Sequence, residues 1–183
     1  FEKLFGADNP KLALVISNLA SAYGDMHNYD KAMELNQKAL DILLASLGES
    51  HVDTATSYNN IGNLYLDIFE YEKALEQFQR ALQILKQVYG ENSDSVAIAY
   101  NNISRVYNEQ GKNDLAIDYA LKSLELRKRI FGDAHVKMAT SYNNIANIYV
   151  DQKDYEKAIE YYRMSLDIYI KTVGEKHPYT ANS

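Results

Sequence analysis

The 183-residue chain has no cysteine, no tryptophan and only two prolines. Without cysteine there can be no disulfide, no thiolate zinc site and no cysteine nucleophile, which agrees with a cytoplasmic setting. No apolar run approaches the roughly 20 residues that cross a bilayer. No secretory signal opens the chain, so no membrane association is expected. Basic residues are in deficit, with 19 Lys and Arg against 25 Asp and Glu for a formal net charge of −6. That balance argues against nucleic-acid binding. Two prolines and eight glycines leave room for long uninterrupted elements, most easily helices. The 46% hydrophobic and 24% charged content is that of a folded chain rather than a disordered one.

What is present is a repeat. Gly6, Gly48, Gly90, Gly132 and Gly174 follow one another at 42-residue steps. Tyr58, Tyr100 and Tyr142 keep the same step, each followed by Asn-Asn-Ile, as do Tyr23, Tyr65, Tyr107 and Tyr149. Residues 48–89 and 132–173 are identical at 20 of 42 positions. Four units result: 6–47, 48–89, 90–131 and 132–173. Residues 1–5 read as the tail of a preceding unit and 174–183 as the start of a following one. Because the chain begins with Phe1 rather than Met, we read it as one repeat domain, 1–183, from a longer array.

Each unit predicts two helices. In the second unit Tyr58, Ile61, Tyr65 and Ile68 share one helical face. After a break near Phe69–Glu70, a second stripe runs through Tyr71, Ala74, Leu75, Phe78, Ala81, Leu82, Leu85 and Val88. Gly90 is expected to end that helix in the left-handed conformation. Asn9 and Ser93 suit N-caps, and Pro10 and Pro178 suit first turns. Tandem helical hairpins give an all-α solenoid in which each unit buries its apolar face mainly on its neighbours.

The run Tyr58-Asn59-Asn60-Ile61-Gly62-Asn63-Leu64-Tyr65, then Tyr71-Glu72-Lys73-Ala74-Leu75, Phe78 and Ala81-Leu82, resembles the tetratricopeptide repeat. Small residues recur where the helices of such a hairpin touch. They are Ala20, Gly62, Ser104 and Ala146 on the first helix, and Ala32, Ala74, Ala116 and Ala158 on the second. Ala39, Ala81, Ser123 and Ser165 take a third small position. The usual unit has 34 residues. The eight extra residues read as a longer second helix and linker, and the closing proline is missing. The 42-residue unit with its Gly-Glu-x-His linker looks like the repeats of kinesin light chain. The resemblance implies a right-handed superhelix of antiparallel helix-turn-helix repeats whose first helices line a concave face.

The helical wheel places a polar stripe opposite the apolar face of each first helix. It comprises Ser17, Asn18, Ser21 and Asp25; then Thr56, Asn59, Asn60, Asn63 and Asp67; then Asn101, Asn102, Arg105 and Glu109; then Thr140, Asn143, Asn144, Asn147 and Asp151. An asparagine amide carries an acceptor and two donors, so it pairs with the backbone of any extended peptide. We therefore expect peptide contact from Asn18, Thr56, Asn59, Asn60, Asn63, Asn101, Asn102, Asn143, Asn144 and Asn147. Arg105 would meet an acidic feature. The competing expectation is that these asparagines bond to the neighbouring unit and set the pitch. Likewise, the acidic row of Asp25, Asp67, Glu109 and Asp151 would then cap backbone or pair with lysines. The array would in that case be a spacer or a self-stacking rod.

Other constellations point away from chemistry. His51, His135 and His177 occupy one linker position a whole unit apart, too far for one metal, and read as capping residues. No HExxH, phosphate loop or Gly-x-Ser-x-Gly occurs, so neither an enzyme nor a cofactor is expected. Most of the sixteen tyrosines fall on apolar positions and read as core rather than base-stacking platforms. Lys122, Arg127, Lys128 and Arg129 read as a solvated outer face. Phe1, Leu4 and Phe5 at one end, and Ile168, Ile170 and Val173 at the other, suggest head-to-tail self-association.

Overall fold

The computed structural model describes residues 9–173. Phe1, Leu4, Phe5, Gly6, Gly174, His177 and Pro178 lie outside the described residues. Among the described residues there are eight α-helices and no strand: α1 (Pro10–Asp25), α2 (Tyr29–Leu47), α3 (Val52–Asp67), α4 (Tyr71–Tyr89), α5 (Asp94–Glu109), α6 (Asn113–Phe131), α7 (Val136–Asp151) and α8 (Tyr155–Val173). Each repeat pairs a 16-residue helix with a 19-residue one. The chain forms two compact units, Phe1–Gly90 and Glu91–Ser183. In the first, α1 packs on α2 and α3 on α4, and α2 lies against α3; in the second, α5 packs on α6 and α7 on α8, and α6 lies against α7.

Local chemistry sets the helix ends. The Asn9 side chain accepts from Lys11 N at 2.9 Å, and Ser93 Oγ from Val96 N at 3.3 Å. His51 and His135 use Nδ1 in the same way, accepting from Asp53 N and Lys137 N at 3.2 Å. Gly48, Gly90 and Gly132 close the second helices with φ of 84°, 75° and 76° and ψ of 175°, 172° and 177°. This is not the left-handed helical conformation expected from sequence. It is a positive-φ region with extended ψ that is open essentially only to glycine, which explains the 42-residue glycine step. Inside each hairpin, the left-handed region is instead taken by His27, Phe69, Gly111 and Lys153, at φ 58°, 62°, 69° and 62°. Three of these four equivalent turns force a side chain into a conformation that only the third repeat gives to glycine.

The hairpins close on small residues. Ala20, Gly62, Ser104 and Ala146 are buried, and so are Ala32, Ala74, Ala116 and Ala158 opposite them. A Cβ on Gly62 would stand 2.8 Å from Phe78 Cε1, and Phe78 is fully buried. Where serine replaces alanine, its hydroxyl donates across the packing. Ser104 Oγ reaches the Ala116 carbonyl at 2.6 Å, Ser123 Oγ reaches Ala97 at 2.7 Å and Ser165 Oγ reaches Ala139 at 3.0 Å. Around these contacts Ala13, Ile16, Ala39, Ile42 and Leu43 form the core of the first hairpin. Ala116, Ala120, Ile145 and Ile148 join α6 to α7, with Tyr107, Tyr149 and Tyr161 packed against them. The expected apolar stripes are broken at their edges: Ile68 and Val88 are exposed, Leu75 is half-buried, and Leu64 and Leu66 are buried.

One expectation is overturned. Arg127 is not on a solvated face: it is 6% exposed. Its position falls on the inward stripe that carries Leu43, Leu85 and Tyr169 in the other repeats. Its Nε donates to Asp94 Oδ1 at 3.0 Å and its Nη1 to Ser141 Oγ at 2.9 Å, and Lys137 Nζ reaches Asp94 Oδ2 at 2.6 Å. This cluster ties α5, α6 and α7 together. Burial pushes the Asp94 carboxyl up, but hydrogen bonds and charges from Lys137 and Arg127 outweigh it and hold the group below the ordinary carboxylate value. The other three cations are exposed as expected. Lys122 pairs with Asp118, Lys128 with Asp133 and Arg129 with Glu125.

Asp94→Val strands the buried guanidinium and is expected to cost about 3–5 kcal/mol in thermal unfolding. Adding Arg127→Leu places Val and Leu where the second repeat has Val52 and Leu85, and should recover most of that loss. A depressed carboxyl contributes stability that is present above its unfolded pKa and lost as pH falls through the lower folded value. Below about pH 4 the wild type should therefore lose Tm more steeply than the double variant. Lys153→Gly relieves a positive-φ turn and should raise stability by about 1 kcal/mol, or roughly 2–4 °C in Tm.

Candidate functional site

In the first compact unit, the first helices α1 and α3 border a groove of about 840 Å³. Four of the sequence-predicted residues line it: Asn18 on α1, and Thr56, Asn60 and Asn63 on α3. Their spacing explains the selection. Asp53, Thr56, Asn60, Asn63 and Asp67 follow steps of three and four, so they form one helical face. Asn59 lies 100° from Asn60, at the edge of this face, and does not line the groove. Of each Asn-Asn pair, the wheel treated both members alike; in this unit the groove takes the second. Thr56 Oγ1 donates to the Val52 carbonyl at 3.1 Å. Asn59 and Asn63 each have a further interaction within the protein.

The groove residues missed from sequence include Asn36 on α2 and Ser57 on α3. They are 3% and 2% exposed, and neither Asn36 Oδ1 nor Ser57 Oγ has a hydrogen-bond partner. A signal for Asn36 was available. The equivalent positions in the later repeats carry Phe78, Ala120 and Tyr162, so Asn36 is a polar residue in an otherwise apolar or aromatic column.

In the second unit the predicted residues divide by role. Asn101 and Asn143 are half-buried, and the Oδ1 atom of each is buried without a partner. Asn102 and Asn144 are half-buried on α5 and α7. Asn102 and the exposed Arg105 already have interactions within the protein. Asn147 Oδ1 accepts from Tyr162 Oη, which commits that acceptor to its own hairpin. Asn108 Nδ2 donates to Asp151 Oδ2, so one member of the acidic row bonds the neighbouring repeat. The tyrosines pair with one another, as Tyr149 stacks on Tyr161 at 5.6 Å and Tyr107 lies 5.5 Å from Tyr119. Desolvation, with smaller charge effects from neighbours, raises the pKa of Tyr107 and Tyr161. Among the described residues no group of three or more His, Asp or Glu is placed to hold a metal ion, and no helix is long and apolar enough to cross a membrane.

Comparison with known proteins agrees with this architecture. A tetratricopeptide repeat family model matches residues 11–87, 53–129, 95–171 and 137–183. No curated protein matches the chain by sequence. The crystal structure of BtubC (BKLC) from P. vanneervenii superposes with a TM-score of 0.78 at 25% identity, over 93% of this chain and 68% of that one. A Podosopora anserina kinesin-light-chain protein with nearly identical TPR-like repeats gives 0.77 at 18% identity, over 95% and 82%. The apo form of RapI gives 0.70 at 23% identity, over 89% and 57%. The fold is thus an all-α solenoid of tandem helix-turn-helix repeats. The chain belongs to the tetratricopeptide repeat family, whose members are generally non-catalytic scaffolds that bind protein partners.

Proposed function

We propose that this chain is a non-catalytic cytoplasmic scaffold that holds an extended protein segment along its first helices. The observation that carries the reading is the groove between α1 and α3, lined by the amides of Asn18, Asn60 and Asn63. Amides of this kind pair with peptide N–H and C=O groups whatever the side chains, so affinity is largely sequence-blind. Asn102 and Asn144 repeat the Asn60 position on α5 and α7 of the second unit. Arg105 adds a cation suited to an acidic side chain of the ligand. The acidic net charge and the lack of any long apolar helix among the described residues favour a protein partner over nucleic acid or a membrane.

A second reading rests on α1. Val15 and Leu19 are 48% and 49% exposed, whereas the equivalent Ser57, Ala99 and Ser141, and Ile61, Ile103 and Ile145, are buried. This face is suited to stacking on another repeat, including one from a second molecule. Among the residues expected to complete such a contact, Ile168 is buried within its own unit and Ile170 is exposed.

Paired affinity capture tests the first reading. The wild-type chain should retain proteins from a lysate of the source cell that the Asn60→Ala, Asn102→Ala, Asn144→Ala variant loses, with equal helicity by circular dichroism. For a captured segment resynthesised as a peptide, the variant should bind at least about tenfold more weakly. Identical capture by both chains would leave the stacking reading. That reading requires concentration-dependent sedimentation that Val15→Lys with Leu19→Lys abolishes.

A further inference from the structure

The groove of the first unit has a rim of one charge and an unmet polar floor. Asp25, Asp53 and Asp67 line it against a single lysine, Lys11. Asp53 has His51 Nδ1 at 3.6 Å, while Asp25 and Asp67 form no ion pair among the described residues. Both sit at the last residue of their helices, where the negative end of the helix dipole already disfavours a carboxylate. A cation brought to Asp25 or Asp67 is attracted by the carboxylate and by the helix end together, and Asp53 adds a carboxylate in the first turn of α3, about 21 Å along that helix from Asp67. Beneath the rim, Asn36 Oδ1 is a buried acceptor with no donor, and Ser57 Oγ is equally unpartnered. An unpartnered buried acceptor carries its full desolvation cost, and a donor arriving with a ligand removes it. Packing does not require a polar residue there. The second repeat fills the equivalent position with Phe78 against Gly62, whereas the first repeat has Asn36 with Ala20.

Resting on the peptide-scaffold reading, we infer that this groove selects a basic segment. Positive charges along the ligand face Asp25, Asp53 and Asp67, and the N–H head of a Lys or Arg side chain meets Asn36 Oδ1. A guanidinium or ammonium suits both features, since it is cationic and purely a donor. A carboxylate suits neither, because the rim repels it and it offers no hydrogen to the floor. An aliphatic side chain of equal length leaves the floor unmet.

The test uses the whole chain, labelled with ¹⁵N and titrated by NMR with acetylated nonapeptides of Gly, Ser and Ala. These carry at their centre two Arg, two norleucine or two Glu residues. The Arg peptide should shift the α1 and α3 amides and the Asn36 side-chain amide, and bind at least about tenfold more tightly than the norleucine peptide. Asp25→Asn with Asp67→Asn, both at exposed positions, should weaken the Arg peptide at least fivefold at low salt and flatten its salt dependence. Asn36→Leu should erase the preference for Arg over norleucine. If that variant does not fold, as judged by circular dichroism, the exposed double variant decides. Equal binding of the Glu or norleucine peptide, or unchanged Arg affinity in the double variant, overturns the basic-segment inference, while shifts mapping to α1 and α3 still support a peptide groove. If no peptide moves those signals, the inference and the groove reading fall together.

Discussion

Close contact between the two helices of each hairpin is the constraint on which the rest of the structure depends. Alanine, glycine or serine at the crossing positions lets the backbones approach, and the larger side chains then interlock around that contact. Gly62 shows how tight the fit is, because one methyl group would collide with the ring of Phe78. The neighbouring column varies with the repeat: Gly62 packs against Phe78, while the equivalent pairs in the other repeats are Ala20 with Asn36, Ser104 with Ala120 and Ala146 with Tyr162. Close packing of this kind transmits small volume changes, and so a single departure such as Asn36 has consequences at the surface groove.

The repeat units were legible because their signals are local and recur. A glycine with positive φ and extended ψ tolerates almost no other residue, so Gly48, Gly90 and Gly132 recur at the period itself. The small crossing residues recur because the hairpin geometry does. Edges of the apolar stripes were less legible. Ile68 and Val88 keep helical spacing but face solvent, since a wheel gives direction without saying where neighbouring helices end.

The candidate site was legible in part. The polar face of α3 was readable from spacing, and the groove takes Thr56, Asn60 and Asn63 from it. Three things were hidden. The wheel put Asn59 and Asn60 at opposite edges of one polar side without showing which edge the groove takes. It could not show that Asn147 is held by Tyr162, a partner on the other helix of the same hairpin. Nor did it place Arg127 inside, because that residue sits in a run of cations, although its repeat column carries Leu43, Leu85 and Tyr169. The partners that permit its burial, Asp94 and Ser141, are 33 and 14 residues away.

The sequence by itself determined the number of repeats, the two helices in each, their caps and the family. These depend on backbone conformation and contacts within one hairpin, which a 42-residue pattern records directly. Tertiary structure alone decided which polar side chains are already satisfied and which are not. It buried Arg127 with Asp94, engaged Asn147 and left Asn36 and Ser57 unmet beneath an acidic rim. The physical reason is that a hydrogen bond or ion pair between helices needs two groups brought together across the packing, and a periodic sequence lists each group without its partner.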